Sequence, residues 1–127
     1  MSNFDFLKQS KIFNNFSEAC CEAENGIGLN TVTCSILSRR ALELAVKWLY
    51  ANDNDLRIPY NDNLSALVHD ITFKNIIDEK LLKQIEYVIK LGNFAVHNNK
   101  KITREEAILS LRYLYNFTCW IAYCYSD

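Results

Sequence analysis

The sequence has few residues that break secondary structure: three glycines and one proline in 127 residues. This scarcity favours long, uninterrupted helices over a β-fold with many turns. No stretch approaches the roughly 18 apolar residues of a membrane span, so no membrane association is expected. The N-terminus lacks a basic region followed by an apolar run, so the sequence predicts no secretory signal.

Several motifs of catalysis and cofactor binding are also missing. The sequence has no glycine-rich phosphate loop, no dinucleotide fingerprint, no zinc-protease helix and no nucleophile elbow. The acidic stretch from Asp53 to Asp62 lacks the alternating oxygen ligands and closing glutamate of a calcium loop. The chain alone is therefore not expected to be an enzyme, and it is expected to bind no metal or cofactor.

The cysteines show no metal-binding or disulfide pattern. Their number is odd, none forms a pair separated by two residues, and none lies near a histidine at ligand spacing. This usage predicts reduced, mostly buried thiols and a cytoplasmic location. The five are Cys20, Cys21, Cys34, Cys119 and Cys124.

The charge is balanced, with 14 basic and 15 acidic residues and a net charge of −1. The net charge of the whole chain therefore does not favour binding to nucleic acid or to an acidic membrane, and a local basic face is left open. Half of the residues are hydrophobic, which is enough for a real core. At this length, residues 1–127 are expected to form one domain.

Apolar residues recur at helical spacing in six stretches. Thr103 with Glu106 forms a capping box, Asp78 is a cap, and Gly26 is expected to end the first helix as a left-handed C-cap. The pattern predicts a compact all-α bundle of four longer helices and two short ones. The longer helices are expected at about residues 10–25, 30–50, 79–97 and 104–125, and the short ones at 64–68 and 73–77.

One stretch, from Ile85 to His97, combines an apolar face with unusual polar residues. Gly92 lies in the middle of the apolar face, where it costs about 1 kcal/mol of helix stability relative to alanine. A glycine there predicts a point where another helix crosses closely. Asn93 and His97 lie four residues apart on the neighbouring strip, which places an amide beside an imidazole.

Two interpretations of these polar residues remain open. Arg39 and Glu43 are spaced as a surface ion pair, whereas Arg40 lies at the margin of the apolar stripe and is expected to point inward. If the two helices cross near the glycine, then Arg40, Glu43, Asn93 and His97 meet in one semi-buried patch. That patch either locks the helices together or acts as an acid–base site with His97 as the proton-transfer group.

The chain resembles the N-terminal helical domain of the restriction subunit of type I restriction-modification enzymes. That domain is catalogued as one of unknown function and is similar to the HEPN group of helical domains. The resemblance covers nearly the whole chain, and five segments carry it in order and spacing. They are Arg39–Glu43, Val46–Tyr50, Leu64–His69, Lys90–His97 and Phe117–Tyr123.

This resemblance implies a non-catalytic module for docking and assembly, at the N-terminus of a larger restriction subunit or as a fragment of it. The parent would be an ATP-dependent DNA translocase and endonuclease, so ATP and Mg are expected only in its other domains. The expected partners are the other domains and subunits of the complex, with DNA reached indirectly. An exposed patch of Trp120, Tyr123 and Tyr125 is the expected docking surface.

Two alternatives follow from the same residues. Active HEPN members cleave RNA with an arginine, a polar residue after it, and a histidine four to six positions after the arginine. Gly92 stands here at the arginine position, followed by Asn93 and His97, so the cation that would stabilise a phosphorane is missing. The alternatives are thus a ribonuclease or nucleic-acid-binding domain that uses His97, and a stand-alone interaction or homodimerisation domain.

Overall fold

Six helices carry the fold of the computed structural model, which describes residues 2–97 and 101–126. Four are long, two are short, and the described residues contain no strand, so the predicted all-α fold is confirmed. The long helices are α1 (Asn14–Gly26), α2 (Thr31–Asn52), α5 (Glu79–His97) and α6 (Arg104–Tyr125), and the short ones are α3 (Leu64–His69) and α4 (Ile71–Ile76).

The helices begin where the sequence places capping residues. Asn30, Asn63 and Asp78 each accept a hydrogen bond from a backbone N–H three residues later. At the start of α6, the Thr103 hydroxyl accepts from the Glu106 N–H, and the Glu106 carboxylate accepts from the Thr103 N–H. This reciprocal pair is the predicted capping box, and it fixes the start of the last helix.

The first helix starts later than its apolar pattern predicts. Two 3₁₀ turns, Asp5–Gln9 and Lys11–Phe13, precede α1, whereas the pattern places the helix from about Ser10. The extended backbone of Ser10, with φ −128° and ψ 127°, separates the two turns. Short 3₁₀ turns bury apolar side chains at a spacing close to that of an α-helix. The apolar pattern therefore does not distinguish 3₁₀ turns from the first turns of an α-helix.

Gly26 has a different role from the predicted left-handed cap. No glycine in the described residues has a positive φ, and Gly26 is the last residue of α1. A Cβ added to Gly26 would lie 3.3 Å from the Cα of Cys34 and 3.3 Å from a methyl carbon of Leu37. Its small size therefore lets the end of α1 approach the start of α2 closely.

The central helix is α2, which packs against α1, α5 and α6. Its wide apolar stripe predicts this position, because a helix touched on several sides must be apolar on several sides. Leu42, Val46 and Leu49 of α2 are fully buried in the main core. A smaller cluster joins the start of α2 to the end of α5 and the start of α6: Cys34, Leu91, Ala95, Ile102 and Ala107.

The five cysteines are free thiols at different depths. Cys20 and Cys34 are buried, Cys21 and Cys119 are half-buried, and Cys124 is exposed. Burial raises the pKa of the Cys20 and Cys34 thiols, which keeps them protonated at neutral pH. Among the described residues, no helix is both long and apolar enough to cross a membrane.

Candidate functional site

α2 and α5 approach each other closely at Gly92. A Cβ added to this residue would lie 2.5 Å from Cβ of Arg39 and 2.8 Å from its Cδ, whereas real Cβ contacts essentially never fall below 3.0 Å. The aliphatic part of the Arg39 side chain therefore covers the backbone of Gly92. The glycine makes this helix crossing possible, because any side chain would occupy the space that Arg39 fills.

The polar end of Arg39 belongs to a short charge ladder along α2. Its Nη1 lies 3.5 Å from the Glu43 carboxylate, whose other oxygen lies 3.0 Å from the Lys47 ammonium. The Arg39 side chain is 31% exposed, and its Nε is buried without a hydrogen-bond partner in the described part of the chain. The ladder thus holds a cation beside Gly92 with one of its donors unsatisfied.

The predicted patch of Arg40, Glu43, Asn93 and His97 needs correction. Arg40 does not point inward: its guanidinium lies 3.6 Å from the Glu22 carboxylate of α1, and both side chains are more than half exposed. Consecutive helical residues point about 100° apart, so only one of the two neighbouring arginines of α2 can face α5. Asn93 and His97 are both exposed on α5. The structure therefore does not assemble these four residues into one semi-buried patch.

A second histidine, His69, ties α3 to α5. Its Nδ1 lies 2.8 Å from the backbone carbonyl oxygen of Ser65, and its Nε2 lies 2.5 Å from the Glu86 carboxylate. The carbonyl oxygen can only accept, so Nδ1 carries a hydrogen and Nε2 faces the carboxylate. Both ring nitrogens are used by the protein, and the pair is best explained as a link between the two helices.

The predicted docking aromatics at the end of α6 differ in exposure. Tyr123 is 89% exposed, whereas Trp120 and Tyr125 are half-buried. The Tyr125 ring packs edge-on against Trp48 at 5.9 Å between centroids, and its hydroxyl donates to the Asp53 carboxylate. Only Tyr123 of the three is freely available to a partner, and Tyr125 fastens the end of α6 to the end of α2.

This fastening predicts a loss of stability in alkali. Burial and the hydrogen bond to Asp53 raise the pKa of Tyr125, so the folded state favours the neutral phenol. The contribution of the neutral Tyr125 phenol to the free energy of unfolding should be fully present below the usual phenol pKa of 10.0. It should be lost progressively as the pH rises above that value. In thermal unfolding from pH 8 to about 11, Tyr125→Phe should start with a lower Tm and lose less of it than the wild type. An equal loss in both proteins would contradict this role.

Three exposed apolar side chains, near the contact between the segment after α2 and the start of α4, were not predicted from the sequence. The Arg57 N–H donates to the Thr72 hydroxyl at 3.2 Å, which brings the extended segment after α2 against the start of α4. The neighbouring side chains Ile58 and Ile71 are 66% and 67% exposed, and Tyr60 is fully exposed. We call Ile58, Tyr60 and Ile71 the corner patch. Exposed large apolar side chains on two joined segments offer a candidate contact surface.

The described residues contain no metal-binding constellation. Among them, no group of three or more histidine, cysteine, aspartate or glutamate side chains is placed to hold a metal ion. The main features of the site region are thus a tight helix crossing, an exposed amide and imidazole beside it, and an apolar corner.

Together these features define a helical-bundle domain in which Gly92 serves helix packing, whereas Asn93 and His97 are exposed. Residues 22–117 match the family described as Domain of unknown function (DUF4145), and the chain belongs to that family. No curated protein and no solved structure matches the chain.

Proposed function

We propose that this chain is a non-catalytic docking and assembly module of a type I restriction-modification restriction subunit. Its partners would be the other domains of that subunit and the specificity and methylation subunits, with DNA reached through the complex. ATP and Mg would act only in the parent's motor and nuclease domains. The proposed location is the cytoplasm.

The observation that carries the non-catalytic part of this proposal is the packing of Arg39 on Gly92, and the restriction subunit is what the resemblance implies. In the motif that runs from Gly92 to His97, the first position holds a glycine at a helix crossing and does not supply a catalytic cation. An acid–base reaction at a phosphodiester needs a positioned cation as well as an imidazole. The motif therefore supports a structural role better than a catalytic one.

The corner patch is the proposed docking surface. Ile58 and Ile71 are 66% and 67% exposed and Tyr60 is fully exposed, and the Arg57–Thr72 hydrogen bond joins the segments that carry Ile58 and Ile71. Their burial against a partner would remove apolar area from water, which is the main driving force of association. Exposed Tyr123 at the end of α6 is a second contact candidate.

Removal of residues 1–127 from the restriction subunit is expected to weaken its assembly with the specificity and methylation subunits at least tenfold. The double substitution Ile58→Asp and Ile71→Asp should have a similar effect without unfolding the chain, because both side chains are already exposed. Leu29→Asp is the matched control, since Leu29 is 75% exposed elsewhere. Unchanged co-purification after the deletion would contradict the proposal.

A second candidate is a ribonuclease that acts through His97. It is favoured by one observation: Arg39 brings a half-buried guanidinium from another helix to Gly92, next to Asn93 in the chain. Its charge is shared with Glu43, which weakens it as a phosphate ligand. A third candidate is a stand-alone interaction or homodimerisation domain. Neighbouring methyltransferase and specificity genes would favour the restriction module over it.

A further inference from the structure

A shallow groove of about 280 Å³ lies between α5 and α6. Its lining combines two ammonium groups, one amide and two phenol rings, from Lys80, Lys83, Gln84, Tyr87 and Tyr113. The lining contains no carboxylate among the described residues. This composition differs from the balanced charge of the whole chain, and it suits an anionic ligand with aromatic rings.

One end of the groove carries two ammonium groups. Lys80 and Lys83 lie near the beginning of α5, where the carboxylates of Asp78 and Glu79 also lie. The Lys83 ammonium lies 4.0 Å from the Glu79 carboxylate, and these side chains are 72% and 87% exposed. An exposed ion pair at this distance contributes little to the free energy of folding. A phosphate can therefore replace the carboxylate as the partner of Lys83.

The other end of the groove is aromatic. The rings of Tyr87 and Tyr113 pack edge to face, with 5.4 Å between centroids and 86° between planes. Tyr113 also packs against the main core and Tyr87 against the smaller cluster, and the parts of both rings that line the groove are what a planar base can contact. The Tyr87 hydroxyl lies 3.5 Å from the Glu106 carbonyl oxygen, and the nearby Glu106 carboxylate accepts from the Thr103 N–H. This end of the groove therefore has a carboxylate nearby and no ammonium group in its lining.

The amides between the two ends can bond to a base. The Gln84 carbonyl oxygen accepts from the Asn116 amide at 3.1 Å, so the NH₂ of Gln84 is the group able to donate to a ligand. Lys83 and Tyr87 are one helical turn apart, about 6 Å along α5. A phosphate at Lys83 and its base at the tyrosine pair therefore lie within the reach of one nucleotide.

We propose that this groove binds single-stranded nucleic acid. Phosphates contact Lys80 and Lys83, a base stacks on the pair formed by Tyr87 and Tyr113, and Gln84 contacts the base edge. The inference is independent of the proposed docking function and of His97. With two phosphate contacts and one stacking site, the expected dissociation constant at low salt is about 10⁻⁴ M.

Fluorescence anisotropy with a labelled single-stranded thymidine oligomer of ten nucleotides tests this proposal. The logarithm of the binding constant should fall against the logarithm of salt with a slope of about −1.4, as expected for two phosphates on a single strand. The double variant Lys80→Gln/Lys83→Gln should bind at least tenfold more weakly. Its matched control is Lys11→Gln/Lys74→Gln, which removes two exposed ammonium groups elsewhere and should change binding less than twofold.

Further variants test whether the Tyr113 ring contributes to binding apart from the lysine charges, and whether His97 contributes at all. Tyr113→Leu keeps an apolar side chain and should weaken binding at least fivefold, with circular dichroism confirming that the fold is retained. His97→Ala should bind as the wild type does. Thymidine monophosphate should compete only at much higher concentration than the oligomer.

Three results would overturn the proposal. The first is no binding by the wild type at low salt, and the second is an equal loss in the Lys11/Lys74 control. The third is that thymidine monophosphate binds as tightly as the oligomer, which would make the groove a site for free nucleotides instead of a strand. Because none of these readouts depends on complex assembly, failure here is distinguishable from failure of the docking proposal.

Discussion

Gly92→Leu is expected to lower the free energy of unfolding by about 2–3 kcal/mol, net of the better helix propensity of leucine. The first atom of any side chain at this position would meet Cβ of Arg39 at 2.5 Å. Cβ is fixed by the backbone, so the clash is relieved only if α2 and α5 move apart. Urea denaturation followed by circular dichroism measures this change.

A double-mutant cycle identifies the contact responsible. In an Arg39→Ala background, Gly92→Ala should remain destabilising, because alanine keeps the Cβ that causes the clash. In an Arg39→Gly background, most of that penalty should disappear. Gly28→Ala is the control, since its nearest atom would lie 3.4 Å away, an ordinary contact. Equal effects of Gly92→Ala in both backgrounds would show that Arg39 does not limit the crossing.

Phe73→Ala is expected to cost about 3–5 kcal/mol, because it removes a fully buried ring. This ring stacks on Tyr50 at 6.2 Å between centroids, and the Tyr50 hydroxyl donates to the Leu67 carbonyl oxygen at 2.6 Å. The two aromatic residues fasten α3 and α4 to α2. Urea denaturation should show the loss in stability, and hydrogen exchange should show it first at the amides of α3 and α4.

The exposed neighbour Lys74 provides the control for Phe73. Lys74→Ala lies on the same short helix and should change the free energy of unfolding by less than about 0.5 kcal/mol. The docking proposal adds a further expectation: Phe73→Ala should weaken partner binding, because Phe73 anchors α4, which carries Ile71. A stability loss below about 1 kcal/mol would contradict the role of Phe73 as the anchor of α4.

Much of the fold could be predicted because its signals are local. Asn63, Asp78 and the Thr103–Glu106 pair mark helix starts through hydrogen bonds within one turn of the chain, and the structure places the helices there. Apolar spacing also indicated which helix is central. The role of Gly26 was missed because a close helix approach and a left-handed cap both require glycine, and the choice between them depends on residues distant in sequence.

The candidate site was less predictable, because it depends on tertiary placement. The spacing that predicts a crossing at Gly92 does not determine whether Arg39 or Arg40 faces it. That choice depends on the rotation of α2, which is set by all of its contacts. The corner patch escaped prediction for the same reason: Ile58 and Ile71 lie on separate segments, and it is the Arg57–Thr72 hydrogen bond that joins those segments.

The most direct test of the central claim, that the motif from Gly92 to His97 is not a catalytic site for nucleic-acid cleavage, is a ribonuclease assay. The purified wild-type chain and His97→Ala would be incubated with labelled single-stranded RNA, and cleavage would be followed on a denaturing gel. We predict no cleavage above the buffer control with either protein. Cleavage by the wild type that is lost in His97→Ala would contradict the claim and establish a catalytic site.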